Sequence, residues 1–114
     1  MLAAAPSELH LHLHGSTLTA SVSIVPGRAG TNTVEIYLAP VPAASIDPLE
    51  VRIAFADPAR QLEPIQVEAV RSGPIWRASP LFLPYGGDWS VRLVVLVNDF
   101  VEETLEETTT VEGQ

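Results

Sequence analysis

Apolar and polar residues alternate along nearly the whole chain, beginning with the run Glu8-Leu9-His10-Leu11-His12-Leu13-His14. Successive side chains of an extended strand point to opposite faces, so Leu9, Leu11 and Leu13 share one face while His10, His12 and His14 share the other. The same period recurs with Leu18, Ala20, Val22 and Ile24 set against Thr17, Thr19, Ser21 and Ser23. After the turn Pro26-Gly27-Arg28-Ala29-Gly30, Val34, Ile36 and Leu38 alternate with Thr33, Glu35 and Tyr37. Leu49, Val51, Ile53 and Phe55 then face away from Glu50, Arg52 and Ala54, and Ile65, Val67 and Ala69 from Gln66 and Glu68. Segments 75–83 and 89–97 follow, parted by Pro84-Tyr85-Gly86-Gly87-Asp88, and Trp89 is expected on a buried face with Val91, Leu93 and Val95. The last segment, 101–111, has an irregular parity: Glu102 and Glu106 fall on one face, and Leu105 on the other with Glu103 and Glu107. That irregularity predicts a bulge or an edge position.

No useful window carries the i, i+3, i+4, i+7 spacing of an amphipathic helix. The 10 prolines fall mainly between the alternating runs or at their ends, where they break helices and are kept out of central strands. Seven or eight short strands, each with one apolar face and bounded by turn residues, predict an all-β fold, an immunoglobulin-like β-sandwich of antiparallel strands. Residues 1–7 are small, Pro-interrupted and aperiodic and read as a linker or frayed terminus, which leaves 8–114 as a single sandwich domain.

Composition narrows the functional classes. A chain of 114 residues with 46% hydrophobic and 18% charged positions can bury one core and is globular rather than disordered. The formal charge is −8, there is no lysine, and the six arginines (Arg28, Arg52, Arg60, Arg71, Arg77 and Arg92) are scattered. Nucleic-acid binding is therefore disfavoured, because phosphate contacts need clustered Lys and Arg. The absence of cysteine removes disulfides, thiolate metal sites and cysteine nucleophiles. No apolar run reaches the ~18–20 residues of a membrane helix. The opening MLAAAPSE lacks the basic flank and long apolar core of a signal peptide, so an exported parent implies an excised or processed chain.

His10, His12 and His14 are the chain's only histidines. Neutral imidazole is the commonest protein metal ligand, and no other segment gathers as many metal-capable nitrogens. Residues i and i+2 on a strand lie roughly 6.5–7 Å apart, and i and i+4 roughly 13 Å. Two neighbouring imidazoles can lean toward one ion at ~2.0–2.1 Å bond lengths, whereas the outer pair cannot. The spacing thus points to a His-x-His pair with further ligands from another strand, the third histidine being auxiliary. The plainer reading is an exposed polar face, or one that packs on a neighbour. With Met1 the single methionine and no thiolate, the composition suits Cu(II) better than Cu(I).

The remaining signals are weaker. The run Glu102-Glu103 and Glu106-Glu107 reads as a solvated, charged edge rather than a ligand set. Trp76 and Trp89 read as core or sheet-end aromatics, and Asp57, Asp88 and Asp99 as turn residues. His14-Gly15-Ser16 does not form a G-x-S-x-G nucleophile elbow, and no Gly-rich loop precedes a helix. Catalysis is the least supported class.

The stretches PGRAGTNTVEIYL at 26–38, LEPIQVEAV at 62–70 and IWRASPLFLPYGGDWSVRLVVLVNDF at 75–100, with the histidine run ahead of them, carry a family resemblance. From about Leu9 to Val111 the chain resembles the extracytoplasmic C-terminal domain of copper-transport and copper-resistance proteins of the CopD/YcnJ type, related to the YtkA-like domains. The resemblance rests on the P-G-R-x-G turn, the W-R-x-x-x-L-x-L-P segment and the G-x-W-x-V-R strand ending at Asp99-Phe100. It implies a domain on the periplasmic side of the inner membrane, attached to the membrane helices of a parent protein concerned with copper homeostasis. By the same resemblance, His10, His12 and His14 lie where the chain enters its first strand and exchange copper with the membrane part. Implied partners are those helices and a periplasmic copper protein. The alternative is a structural or protein-interaction sandwich without a functional metal site.

Overall fold

The computed structural model describes residues 8–40, 48–60 and 62–113. The expected linker at 1–7 lies outside the described residues. Among the described residues nine strands are present: β1 (Leu9–His14), β2 (Leu18–Val25), β3 (Gly30–Pro40), β4 (Glu50–Ala56), β5 (Ile65–Glu68), β6 (Val70–Ser72), β7 (Ile75–Leu83), β8 (Gly87–Leu96) and β9 (Glu102–Val111). Among the described residues there is no helix.

Two antiparallel sheets form, in the orders β1-β2-β3-β7-β6 and β5-β4-β8-β9. The core of this arrangement, β2-β3-β7-β6 against β4-β8-β9, has the ABED and CFG order of the immunoglobulin fold, with β5 added beside β4. Strand β1 lies outside that order, appended to the free side of β2. Apolar residues of both inner faces meet in one cluster: Val22, Ile24, Ile36 and Leu83 from one sheet against Ile53, Phe55, Leu93 and Leu105 from the other. Trp89, Val91, Leu93 and Val95 are all buried on one face of β8, as the alternation predicts. Leu49 departs from its run and is exposed, lying just before β4 begins.

Among the described residues nine strands replace the expected seven or eight, because the expected run at 65–69 ends at Glu68 and the chain crosses at Ala69 into a further short strand. Ile65–Glu68 pairs with β4, and Val70–Ser72 pairs with β7 in the opposite sheet. The buried Ala69 donates its amide to the Val51 carbonyl at 2.8 Å, holding the crossing point against the core. A second irregularity sits between β3 and β7, where the register shifts between Asn32 and Val34. The shift reverses the inward parity of β7 from Trp76 and Ala78 to Leu81 and Leu83, and it accommodates Pro80 within the strand. Strand β9 is an edge, as one alternative predicts, and its ten residues pair with β8 without a bulge.

Candidate metal site

Strand β1 is positioned by its leucines. Leu11 and Leu13 are buried, and a one-residue slip against β2 would exchange them for imidazoles in the core. The register is therefore specified, with His10 opposite Ser23, His12 opposite Ser21 and His14 opposite Thr19. All three histidines are exposed on the outer face of an edge strand.

The turn that ends β1 is clasped from the other sheet. Glu103 of β9 is 9% exposed, and its Oε1 accepts the Thr17 amide at 3.0 Å and the Ser16 hydroxyl at 3.3 Å. The Thr17 hydroxyl donates to Oε2. Gly15 leaves room for this clasp, because a Cβ there would displace the Glu103 carboxylate and lie 3.0 Å from the Leu18 carbonyl oxygen. Burial is the largest single influence on the Glu103 pKa and pushes it up. The hydrogen bonds from Thr17 and Ser16 together outweigh burial and hold the carboxyl below the usual glutamate range.

Around the histidines the donor geometry is specific. Nδ1 of His10 lies 3.2 Å from the Ser23 hydroxyl and Nδ1 of His12 lies 3.5 Å from that of Ser21. When Nδ1 donates to serine, Nε2 presents its lone pair away from the sheet, the tautomer a metal ligand needs. His10 Nε2 stands 3.4 Å from Glu8 Oε1. Two donors bound to one ion at ~2.0–2.2 Å are themselves about 3–3.4 Å apart, so this pair already has the separation of neighbouring ligands. Glu8 was not singled out by the sequence reading, although its parity matches that of the three histidines. As an ion pair it is worth little, both side chains being exposed.

Among the described residues the strand paired with β1 does not supply the expected additional ligands. Strand β2 offers hydroxyls, namely Thr19, Ser21 and Ser23. Among the described residues, no three His, Cys, Asp or Glu side chains are gathered closely enough to hold an ion as they stand.

The acidic run of β9 divides into three roles. Glu102 pairs with Arg52 at 3.4 Å and Glu106 with Arg92 at 3.1 Å, both on the solvent face, while Glu107 is exposed. Glu103 alone turns inward, so the reading of a uniformly solvated edge fails for that residue. Trp76 and Trp89 are core residues. Asp57 and Asp99 follow strands as expected, but Asp88 lies within β8, where it accepts the Thr110 hydroxyl at 2.8 Å. At the end of the sandwich bearing the β7–β8 turn, Tyr85 stacks on Trp89 at 5.0 Å, with the Arg60 guanidinium 4.0 Å from its ring centre. Among the described residues its buried hydroxyl has no partner within good hydrogen-bond geometry, and its pKa is raised, first by burial and then by the nearby Asp57 carboxylate. Asn32, also missed, is 1% exposed and closes the β2–β3 turn. Its Oδ1 accepts the Gly27 amide at 2.7 Å, and its Nδ2 donates to the carbonyls of Arg28 and Gly30 at 2.9 and 3.0 Å.

Among the described residues no helix is long and apolar enough to cross a membrane. Comparison of the chain with known protein families, with curated proteins and with solved structures returned no match.

Proposed function

We propose that this sandwich is a Cu(II)-binding accessory domain, with His10, His12 and His14 on the outer face of β1 and Glu8 just before it as its donors. The observation that carries the reading is the 3.4 Å separation of His10 Nε2 and Glu8 Oε1, beside His12 on the same exposed face. An exposed edge strand lets these side chains rotate toward an ion without disturbing the core, and the serine hydroxyls opposite His10 and His12 can accept from Nδ1 while Nε2 takes the ion. Nitrogen and carboxylate donors without sulfur suit Cu(II), which also heads the divalent affinity order for such ligands. The resemblance to copper-transport domains supports the same ion and an extracytoplasmic setting, where the domain exchanges copper with the helices of its parent.

The test is a Cu(II) titration followed by electron paramagnetic resonance, on the parent chain and on the variant carrying His10→Ala, His12→Ala and His14→Ala. The expected result is nitrogen hyperfine structure in the parent and its loss in the variant. Affinity should weaken in acid, since protons compete with the ion for imidazole. A triple variant that binds Cu(II) as tightly as the parent would place the site elsewhere and leave these residues a polar surface.

A further inference from the structure

Resting on the reading of β1 as the metal-binding strand, we propose that the ion joins two copies of this chain by antiparallel pairing of their β1 edges, with Leu11 facing Leu11. In that register His10 of each copy lies opposite His12 of the other, and Glu8 opposite His14. Each ion then takes Glu8 and His10 from one copy and His12 and His14 from the second, giving two equivalent sites per dimer.

Four observations support this arrangement. The first is the open edge: among the described residues β1 pairs only with β2 and stands at the end of its sheet. The second is how the four sheet edges differ. Strands β5 and β6 are short, at 4 and 3 residues, and β9 carries Glu102, Glu106 and Glu107. These are the usual devices that block edge-to-edge pairing, and β1, with 6 residues of leucine and histidine only, has none of them.

Third, face parity restricts the partner. A second strand extending this sheet must keep its leucines on the core side, so histidine can only meet a residue of the histidine face. Centring on Leu11 pairs all of 8–14 and sets a metal-capable donor opposite every donor. Centring on His12, the next allowed register, would leave Glu8 facing Ser16. Directly opposed side chains on one face have Cβ atoms about 4.5–5.5 Å apart, and adjacent pairs are roughly 6.5–7 Å apart along the strand. Four side chains at the corners of such a rectangle can converge on one ion above its centre.

Fourth, a single chain is short of ligands. No group of three suitable side chains exists among the described residues, whereas the second copy supplies the two imidazoles that Glu8 and His10 lack. With a formal charge of −8 on each copy, two chains repel as wholes, and cations bound between them offset part of that repulsion.

The experiment is complementation between surface variants. One chain carries His12→Ala and His14→Ala and keeps Glu8 and His10. The other carries Glu8→Gln and His10→Ala and keeps His12 and His14. Sedimentation velocity with equimolar Cu(II) should show the parent doubling its mass from 12.2 kDa, and each variant alone remaining monomeric. An equal mixture of the two variants should regain the doubled mass with one ion per pair. A mixture that stays monomeric overturns the inference. A parent that binds Cu(II) as a monomer overturns it while leaving the metal-binding reading intact, and a parent that binds no Cu(II) ends both.

Discussion

At the scale of single residues, Trp89 and Glu103 show two ways in which one side chain holds this sandwich. Trp89 is 3% exposed between the sheets, stacks on Tyr85 and donates its indole N–H to the Tyr85 carbonyl at 3.2 Å. Trp89→Ala should lower unfolding free energy by about 3–5 kcal/mol in urea melts. A loss under about 1 kcal/mol would mean that the surroundings close over the vacated volume. Glu103 acts through hydrogen bonds, and its contribution depends on pH. Its pKa is depressed in the folded chain, so its stabilisation is complete above the ordinary glutamate range and is lost as pH falls through the lowered value. Glu103→Gln should therefore cost about 1–3 kcal/mol at pH 7, with the gap from the parent closing in strong acid. A gap that stays constant with pH would show that the carboxylate charge plays no part. Both residues bear on legibility. Trp89 could be placed from alternation alone, because its neighbours Val91, Leu93 and Val95 repeat its parity. Glu103 appeared only as a break in the pattern of its strand, since its partners Ser16 and Thr17 lie 87 and 86 positions away in sequence.

At the scale of elements, turns and edges settle what the strands can do. The β2–β3 turn depends on Gly27, whose φ of 76° lies in the left-handed region, and on the Asn32 side chain that gathers the turn's polar groups. Asn32→Ala leaves the Gly27 amide and two carbonyls without this partner and should destabilise by about 1–3 kcal/mol in thermal or urea unfolding. An unchanged midpoint would show that water replaces the amide fully. Asn32 was legible in principle, because it shares the inward parity of Val34 and Ile36, and a polar residue in an inward position asks for internal partners. Strand β1 is the converse case. Its two faces follow directly from Leu-His alternation, but its place at the end of a sheet, which exposes both its histidines and its backbone edge, follows from the pairing order. The crossing at Ala69 has no local signature within residues 65–72 that separates it from a continuous strand.

At the scale of the whole molecule, the chain is a sandwich whose immunoglobulin-like order accounts for every strand except β1 and β5. The appended β1 packs its leucines on the shared core and leaves its other face to histidine, so the proposed metal-binding surface is added at little expense to the fold. Of the six arginines, Arg52, Arg77 and Arg92 are spent on cross-strand pairs with Glu102, Glu35 and Glu106. Each pair cancels one charge of either sign, so the net charge of −8 comes from the excess of 14 acidic over 6 basic residues.

Sequence alone determined the strand period, the inward faces of β1, β2, β4 and β8, the turn at 26–30 and the grouping of His10, His12 and His14. Each of these depends on residues within one strand or one turn, where side-chain direction follows from position. Tertiary structure alone decided which strands are neighbours, that β5 and β6 belong to opposite sheets, and that Glu103 closes the turn after the histidines. It also decided that hydroxyls rather than ligands flank the imidazoles. These features join segments far apart in the chain, and pairing among nine strands is chosen by burial of the whole core rather than by any local pattern.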